Sequence, residues 1–284
     1  MSTNPNPDHQ TQIDDAVVES YFEGAAGTSP EAMSMMAHGH NLPSDAVVYR
    51  LGKEITNISN WLEDVDKQGR VLDVGCGAGA WVEFFAHRYG SVIGVERSAL
   101  MVAAAKNRVC HLPNAQIFQG DGRKDLPLGP FDLIFVGGLF MYLKDSDALA
   151  LLHSLEDILS DGGAIILRES TVRTGEFVAK GEYQAVYRSV DLYHQLFHEA
   201  GITCIETRQN PGYRNVVIGE ELVDFRRKWL SFLPKDSELL GKLTWWILRG
   251  ASPISFWAVP RLLSALNIPW PRLQNHFFLL KLAT

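Results

Sequence analysis

Residues 71–81 read Val-Leu-Asp-Val-Gly-Cys-Gly-Ala-Gly-Ala-Trp, an apolar run that ends in a carboxylate and continues into three alternate glycines. This pattern predicts a buried parallel strand, a tight turn and the start of a helix. Because glycine has no Cβ atom, the main chain of the turn can lie directly against a ligand, and the helix that follows offers unpaired N–H groups. The segment therefore predicts a binding site for a nucleotide-like molecule.

Two cofactors suit such a loop. Gly75, Gly77 and Ala80 satisfy the dinucleotide pattern G-x-G-x-x-G/A. Glu96 follows at roughly the 20-residue distance expected of a ribose-binding carboxylate. Asp73, two residues before the first glycine, instead favours S-adenosylmethionine, because a carboxylate attracts the ammonium group of methionine and repels a pyrophosphate. An NAD-linked oxidoreductase remains the alternative.

The next predicted strand, Ser91–Glu96, ends in a second acid. The ionised carboxylate of Glu96 has two acceptor oxygens, so it can receive hydrogen bonds from both hydroxyls of a ribose. Arg97 follows directly, and Ser98 caps the next predicted helix, which carries Met101. The Met101 thioether is placed either to cover an adenine ring or to fill the core.

Two more strands end at the same predicted edge of the sheet. Ala115–Gln119 is followed by Gly-Asp-Gly, where Asp121, just before Gly122, is expected either to accept a hydrogen bond from an adenine amino group or to close an Asx-turn. Phe131–Val136 continues into a second glycine turn that begins at Gly137. Because ligands of open parallel sheets bind outside the carboxyl ends of the strands, we expect these residues to converge on one groove.

In this order, the motifs over residues 70–208 resemble those of the class I S-adenosylmethionine-dependent methyltransferases, particularly members that act on small molecules and amino groups. The resemblance implies that the methionine part of the cofactor lies at the first glycine turn, the ribose at Glu96 and the adenine at Asp121. By the same resemblance, the residues at the cofactor are Asp73, Gly75, Cys76, Gly77, Glu96, Arg97, Met101, Asp121, Gly122 and Gly137.

The resemblance also implies an α/β fold. It is a doubly wound, Rossmann-like sheet of seven mostly parallel strands with an antiparallel last strand, to which helical lid elements are added. Alternating strand and helix patterns support this fold, and Gln274–Lys281 fits the last strand. We expect a disordered tail (1–13), an N-terminal helical lid (14–68), the cofactor-binding core (69–211), an apolar helical insertion over the substrate (212–272) and the final strand (273–284).

Transfer of a methyl group from a sulfonium is an in-line displacement, so the protein chiefly aligns donor and acceptor and excludes water. A hydroxyl acceptor also needs a base, and an amine must arrive unprotonated. The candidate catalytic residues lie near the predicted sheet edge or on the lid and are Tyr142, Glu169, Tyr187, His38 and His40. A surface ion pair with Arg168 is the other interpretation of Glu169. A relative that binds the cofactor without catalysis, or one that uses the fold for rearrangement or cyclisation, also remains open.

Composition narrows the choice of partners. The 284-residue chain has a net charge of −7 and no concentrated basic patch, which argues against a nucleic-acid partner. Its three cysteines suit free thiols in a reducing cytoplasm. His194 and His198 are four residues apart on one predicted helix, but no third ligand accompanies them, and we expect no metal.

Residues 212–272 are unusually apolar and rich in tryptophan. Arg249, Pro253 and Pro260 interrupt the apolar run before it reaches the roughly 20 residues of a membrane span. The segment therefore predicts helices that cover a hydrophobic pocket, and hence a small-molecule substrate that is partly hydrophobic. A second interpretation is a peripheral contact of residues 239–261 with a membrane surface.

Overall fold

The computed structural model describes residues 13–24, 42–230, 232–268 and 270–282. The helices are α1 (Asp15–Gly24), α2 (Ser44–Asn57), α3 (Ser59–Glu63), α4 (Ala80–Ala86), α5 (Ala99–Val109), α6 (Asp145–Asp157), α7 (Val190–Glu199), α8 (Pro211–Trp229), α9 (Glu238–Gly250) and α10 (Val259–Ala265). The strands are β1 (Arg70–Val74), β2 (Ser91–Glu96), β3 (Ala115–Gln119), β4 (Phe131–Gly137), β5 (Leu159–Val172), β6 (Glu176–Ala179), β7 (Ala185–Ser189), β8 (Ile202–Gln209) and β9 (Gln274–Leu282). Residues 1–12 of the predicted tail, and both His38 and His40, lie outside the described residues.

The central sheet has the predicted doubly wound topology. Strands β3, β2, β1, β4 and β5 are neighbours in that order and run parallel. Beyond β5 the sheet continues through β9, which is antiparallel to both β5 and β8. The prediction of a mostly parallel Rossmann-like sheet with an antiparallel last strand is therefore confirmed.

A short hairpin adds two strands to the seven that were predicted. Strands β6 and β7 pair antiparallel, and β7 joins the far end of β5, where Thr171 lies opposite Arg188. Strand β5 continues beyond its pairing with β4, so its exposed edge accepts another strand. The catalytic candidate Tyr187 lies within β7.

Each face of the sheet carries a hydrophobic layer of helices. Helices α3, α4 and α5 cover one face, with Trp61, Phe85 and Val102 among their buried side chains. Helices α6 and α7 cover the other face, with Leu152 and Phe197 buried against it. The carboxyl edge of the sheet stays clear of these two layers, which leaves room for a site.

A third helical layer lies beside that edge. Helix α8 packs against α2 and α9 around the buried side chains of Ala46, Val216 and Trp245. The limits of the N-terminal helical lid (14–68) and of the apolar helical insertion (212–272) stay predictions. No helix in the described part of the chain combines the length and apolar character that a membrane crossing requires.

Candidate active site

A cavity of about 590 Å³ opens at the carboxyl edge of the sheet. All ten residues expected at the cofactor line it, as do Tyr142 and Tyr187 from the set of catalytic candidates. Glu169 is not among the lining residues. The sequence motifs are thus brought to one place, although their roles remain predictions.

The first turn of the cavity is formed by glycines in the left-handed region. Gly75, Gly77 and Gly79 have φ angles of 72°, 54° and 80°, which side-chain-bearing residues rarely adopt. A Cβ atom on Gly77 would meet no protein atom within 4 Å. The space beside this main chain is therefore open to a ligand.

Asp73 supplies a buried carboxylate at the end of β1. Only 2% of the residue is exposed, and its Oδ2 atom has no hydrogen-bond partner among the described residues. Burial raises the pKa of Asp73 to about 8; Arg168 opposes the shift and Glu96 adds to it. A buried acceptor without a partner is costly, so this position suits a ligand that brings a positively charged donor.

Glu96 stands at the end of β2 beside the glycine turn. Its Oε2 accepts a hydrogen bond from the Gly77 N–H at 3.0 Å, and its Oε1 accepts one from the Ser98 N–H at 2.8 Å. Burial raises the pKa of Glu96, while these backbone hydrogen bonds lower it. Each carboxylate oxygen can accept a further hydrogen bond, so both remain able to bind hydroxyl groups.

Asp121 closes the Asx-turn that was one of its two predicted interpretations. Its Oδ1 accepts a hydrogen bond from the Arg123 N–H at 3.0 Å, and its Oδ2 accepts one from the Arg123 guanidinium at 2.7 Å. Burial raises the pKa of Asp121, but the contacts with Arg123 outweigh it, and the pKa lies below its usual value. The carboxylate is therefore ionised and rigidly held at the rim of the cavity.

Helix α1 lies over the cavity and is joined to it by charges and aromatic rings. Asp15 pairs with Arg123 at 2.8 Å and Glu19 pairs with Arg97 at 2.6 Å. The Phe22 ring contacts the Tyr142 ring edge-on, with their centroids 5.2 Å apart. These contacts give α1 the position of a lid across both ends of the cavity.

The end of the cavity away from Asp121 is aromatic and carries a chain of hydroxyl groups. The Tyr183 hydroxyl lies 3.3 Å from that of Tyr142 and 2.9 Å from that of Tyr187. Burial raises the pKa of Tyr142 above 10, and that of Tyr187 is raised by the same cause. Both phenols therefore stay protonated at neutral pH, so they act as hydrogen-bonding groups and do not supply a phenolate base.

Glu169 lies behind the cavity wall, within β5, and is fully buried. Its Oε1 accepts hydrogen bonds from the N–H groups of Leu139 and Phe140, both at 3.1 Å. Arg188 donates to the Phe140 carbonyl in the same turn at 3.0 Å. Burial raises the pKa of Glu169 to about 7 in spite of the backbone hydrogen bonds. Glu169 therefore supports the turn that carries Tyr142, and its catalytic role stays a prediction.

The interpretation of Arg168 and Glu169 as a surface ion pair is wrong, because Glu169 is fully buried and the Arg168 side chain, 13% exposed, faces the cavity. Arg168 pairs instead with Glu54 of α2, at 3.2 Å, and donates to the Gly137 carbonyl at 3.1 Å. Glu54 also accepts a hydrogen bond from Asn210 at 2.8 Å. Glu54 is fully buried, so the cavity wall contains a charged network that joins distant parts of the chain.

Sequence reasoning missed several residues of the aromatic end. Tyr183, Tyr213, Glu220 and Asn275 all line the cavity, yet no local motif marks them. They come from the loop between β6 and β7, from α8 and from β9, which converge only in the folded chain. The Oε1 atom of Glu220 is buried without a hydrogen-bond partner among the described residues.

The described part of the chain contains no group of three or more His, Cys, Asp and Glu side chains placed to hold a metal ion.

Residues 71–163 match the family model of a methyltransferase domain. Trans-aconitate 2-methyltransferase of Rhizobium etli is 35% identical over 101 residues, which cover 35% of this chain and 38% of the relative. An N,N-dimethyltransferase of a dTDP-amino sugar from Streptomyces venezuelae is 36% identical over 101 residues, 34% of this chain and 40% of the relative. The matches to both curated relatives thus span well under half of their lengths.

A solved S-adenosylmethionine-dependent methyltransferase of Leishmania major shares the fold across nearly the whole chain. Its TM-score is 0.60 at 18% identity, with 95% of this chain and 85% of that chain covered. Three findings agree with one another. They are the strand order around the glycine turn, the match of residues 71–163 to the methyltransferase-domain model, and this shared fold. Residues 71–163 thus match a methyltransferase domain, and the chain as a whole has the fold of a solved S-adenosylmethionine-dependent methyltransferase.

Proposed function

We propose that this protein binds S-adenosylmethionine at the carboxyl edge of its sheet and transfers the methyl group to an oxygen or nitrogen atom of a partly hydrophobic small molecule. The observation that carries the proposal is the Asp73 carboxylate, buried without a partner for Oδ2 among the described residues and beside an open glycine turn. The cofactor has an ammonium group for this position. NAD has a pyrophosphate there, which the carboxylate would repel.

The remaining cofactor positions follow the order of the strands. Glu96 has acceptor capacity for the ribose hydroxyls, and Asp121 with Gly122 forms the rim against the adenine. Met101 is buried in α5 at the same side of the cavity. Cys76 belongs to the glycine turn of this site, and burial raises the pKa of its thiol and keeps it neutral.

When bound, the cofactor supplies an electrophilic methyl group, and the protein positions the acceptor and excludes water. Tyr142, Tyr183 and Tyr187 offer hydrogen bonds to a polar atom of the acceptor. The surrounding rings and Met141 offer apolar contact, which is the reason for proposing a substrate of mixed polarity. Glu169 and Arg188 act as positioning residues, because they hold the turn that carries Tyr142.

Calorimetric titration with S-adenosylhomocysteine and, separately, with NADH tests the cofactor assignment. We expect binding of the first compound and none of the second; the reverse result overturns the proposal. Transfer of a radiolabelled methyl group to a pool of small-molecule extracts then tests catalysis. Product formed by the wild type and lost in the Asp73→Asn variant supports a methyltransferase, whereas binding without any transfer supports a catalytically silent relative.

Two further expectations belong to this proposal. The three cysteines, Cys76, Cys110 and Cys204, form no disulfide, which suits a reducing cytoplasm. The outer surface of residues 239–261 carries apolar side chains that point away from the core, which suits a peripheral membrane contact.

A further inference from the structure

Helix α9 is apolar on both of its sides. Its inner side buries Trp245 and Leu248 against α8. Its outer side exposes Trp246, of which 72% is accessible, together with Leu243 and Ile247. A surface helix of a globular protein normally turns polar residues outward, so the outer side of α9 is built for a second apolar environment.

The neighbouring segments also expose large apolar side chains. Trp229 at the end of α8, Trp257 in the π-helical turn Pro253–Ala258 and Leu262 in α10 are each about 60% exposed. The Arg261 guanidinium lies over the Trp257 ring, 4.4 Å from its centroid. We call this surface, formed by the exposed apolar side chains of residues 229–268, the docking face.

The charge of this segment differs in sign from that of the rest of the chain. Residues 229–268, which form the docking face, contain four Lys and Arg residues and two Asp and Glu residues, a net charge of +2. The whole chain has a net charge of −7, so the remainder carries −9. Basic residues among exposed tryptophans are typical of helices that lie in the interface of an anionic membrane.

We propose that the docking face binds the surface of an anionic lipid bilayer, with α9 and α10 lying in the plane of the interface. This inference extends the peripheral membrane contact of residues 239–261 proposed above by naming the charge of the lipid. It depends on that contact and not on the cofactor assignment. A second copy of the chain is a poorer occupant, because two such faces, each with a net charge of +2, would repel one another. The negatively charged remainder of the molecule would point away from the bilayer, which fixes one orientation.

The inner side of the same layer faces the cavity. Tyr213 and Glu220 of α8 line the aromatic end of the cavity, while α9 covers the outside of α8. Docking would therefore hold the acceptor end of the site close to the lipid surface.

Sedimentation of the full chain with vesicles tests the proposal. We expect binding to phosphatidylcholine vesicles that contain phosphatidylglycerol, weaker binding to pure phosphatidylcholine, and release as the salt concentration rises. Replacing Trp246 and Trp257 together by Ala is expected to weaken binding on the order of tenfold. Leu128→Ala is the matched control, because Leu128 is 89% exposed but lies outside the docking face.

A second variant tests the charge separately. Lys242→Glu with Arg261→Glu keeps every apolar side chain and is expected to reduce binding to the anionic vesicles. Equal binding to both kinds of vesicle, no binding by the wild type, or a dimer that the tryptophan variant dissociates would each overturn the proposal. Binding of S-adenosylhomocysteine is measured on the same preparations, so a failed cofactor assignment is distinguished from failed docking.

Discussion

At the residue scale, two buried carboxylates near the same sheet edge serve opposite purposes. Asp73 keeps Oδ2 without a partner among the described residues and lines the cavity. Glu169 accepts two backbone hydrogen bonds and lies behind the wall. A buried carboxylate with spare acceptor capacity is suited to a ligand, and one that is already satisfied is suited to holding the backbone.

Asp73→Asn is expected to lower the affinity for S-adenosylhomocysteine by about 1.5–3 kcal/mol, because a hydrogen bond to a charged group is lost. Isothermal titration calorimetry measures the change. Asp64→Asn, an exposed acid distant from the cavity, serves as the control. Equal affinities of the wild type and the Asp73 variant would show that the carboxylate does not bind the ligand ammonium.

The pH dependence of this affinity follows from the pKa of Asp73, which burial raises to about 8. The ligand ammonium pairs with the ionised carboxylate, so below pH 8 binding must first release a proton. We expect the affinity to fall as the pH is lowered from 8, by up to about tenfold for each unit. Titration at several pH values checks this, and the Asp73→Asn variant should lack the dependence. An affinity that rises on acidification would contradict it.

Glu169 is expected to support the turn through hydrogen bonds that a glutamine carbonyl can also accept. Glu169→Gln should therefore retain most methyl transfer, whereas Glu169→Ala should lose stability by about 1–3 kcal/mol because two buried N–H groups lose their acceptor. Urea unfolding and the transfer assay are measured on both variants. A stable Glu169→Gln protein with no activity would instead restore Glu169 as a catalytic base.

At the element scale, helix α1 closes the cavity through a few side chains. Its two ion pairs involve half-exposed acids, so they contribute little free energy. The aromatic contacts of Tyr21 with Tyr183 and of Phe22 with Tyr142 are the stronger restraint.

Phe22→Ala is expected to weaken the closure of α1 by about 0.5–1.5 kcal/mol, the usual contribution of an aromatic pair. The bound cofactor product should then dissociate faster, which stopped-flow displacement measures. Glu19→Gln is the control on the same helix and should change the rate little. An unchanged rate for Phe22→Ala would show that α1 does not retain the ligand.

At the scale of the whole molecule, one buried charged network ties the helical layer to the sheet. Glu54 of α2 contacts Arg168 of β5 and Asn210, and Asn210 contacts Asn275 of β9. These residues are far apart in the sequence, so the network forms only when the whole chain has folded. It joins helix α2 to strand β5 and, through Asn210, to strand β9.

Glu54→Ala is expected to destabilise the protein by about 3–5 kcal/mol, because it leaves a buried guanidinium without its partner. Urea unfolding measures the free energy. Glu63→Ala, which removes an exposed and loosely paired acid, should change it by less than about 0.5 kcal/mol. Similar values for the two variants would show that the network does not hold the layers together.

Much of the cofactor end was predictable because its residues are marked locally. The carboxylate, the glycine turn and the acids that follow β2 and β3 each stand at the end of an apolar strand, and parallel strands bring such ends to one edge. The hairpin of β6 and β7 was not predictable, because its pairing depends on how far β5 extends beyond its neighbour. Neither was the role of Glu169, since its partners lie thirty residues earlier in the chain.

The order of apolar strands, glycine turns and acids was enough to establish the doubly wound sheet and to bring the cofactor residues together, because backbone periodicity and turn chemistry act over short distances. Only tertiary packing determined which residues form the aromatic end of the cavity. There, Tyr183, Tyr213 and Glu220 meet from separate elements, and burial raises the pKa values of Tyr142 and Glu169. Those properties depend on which groups exclude water from one another, and that is settled only when distant segments come into contact.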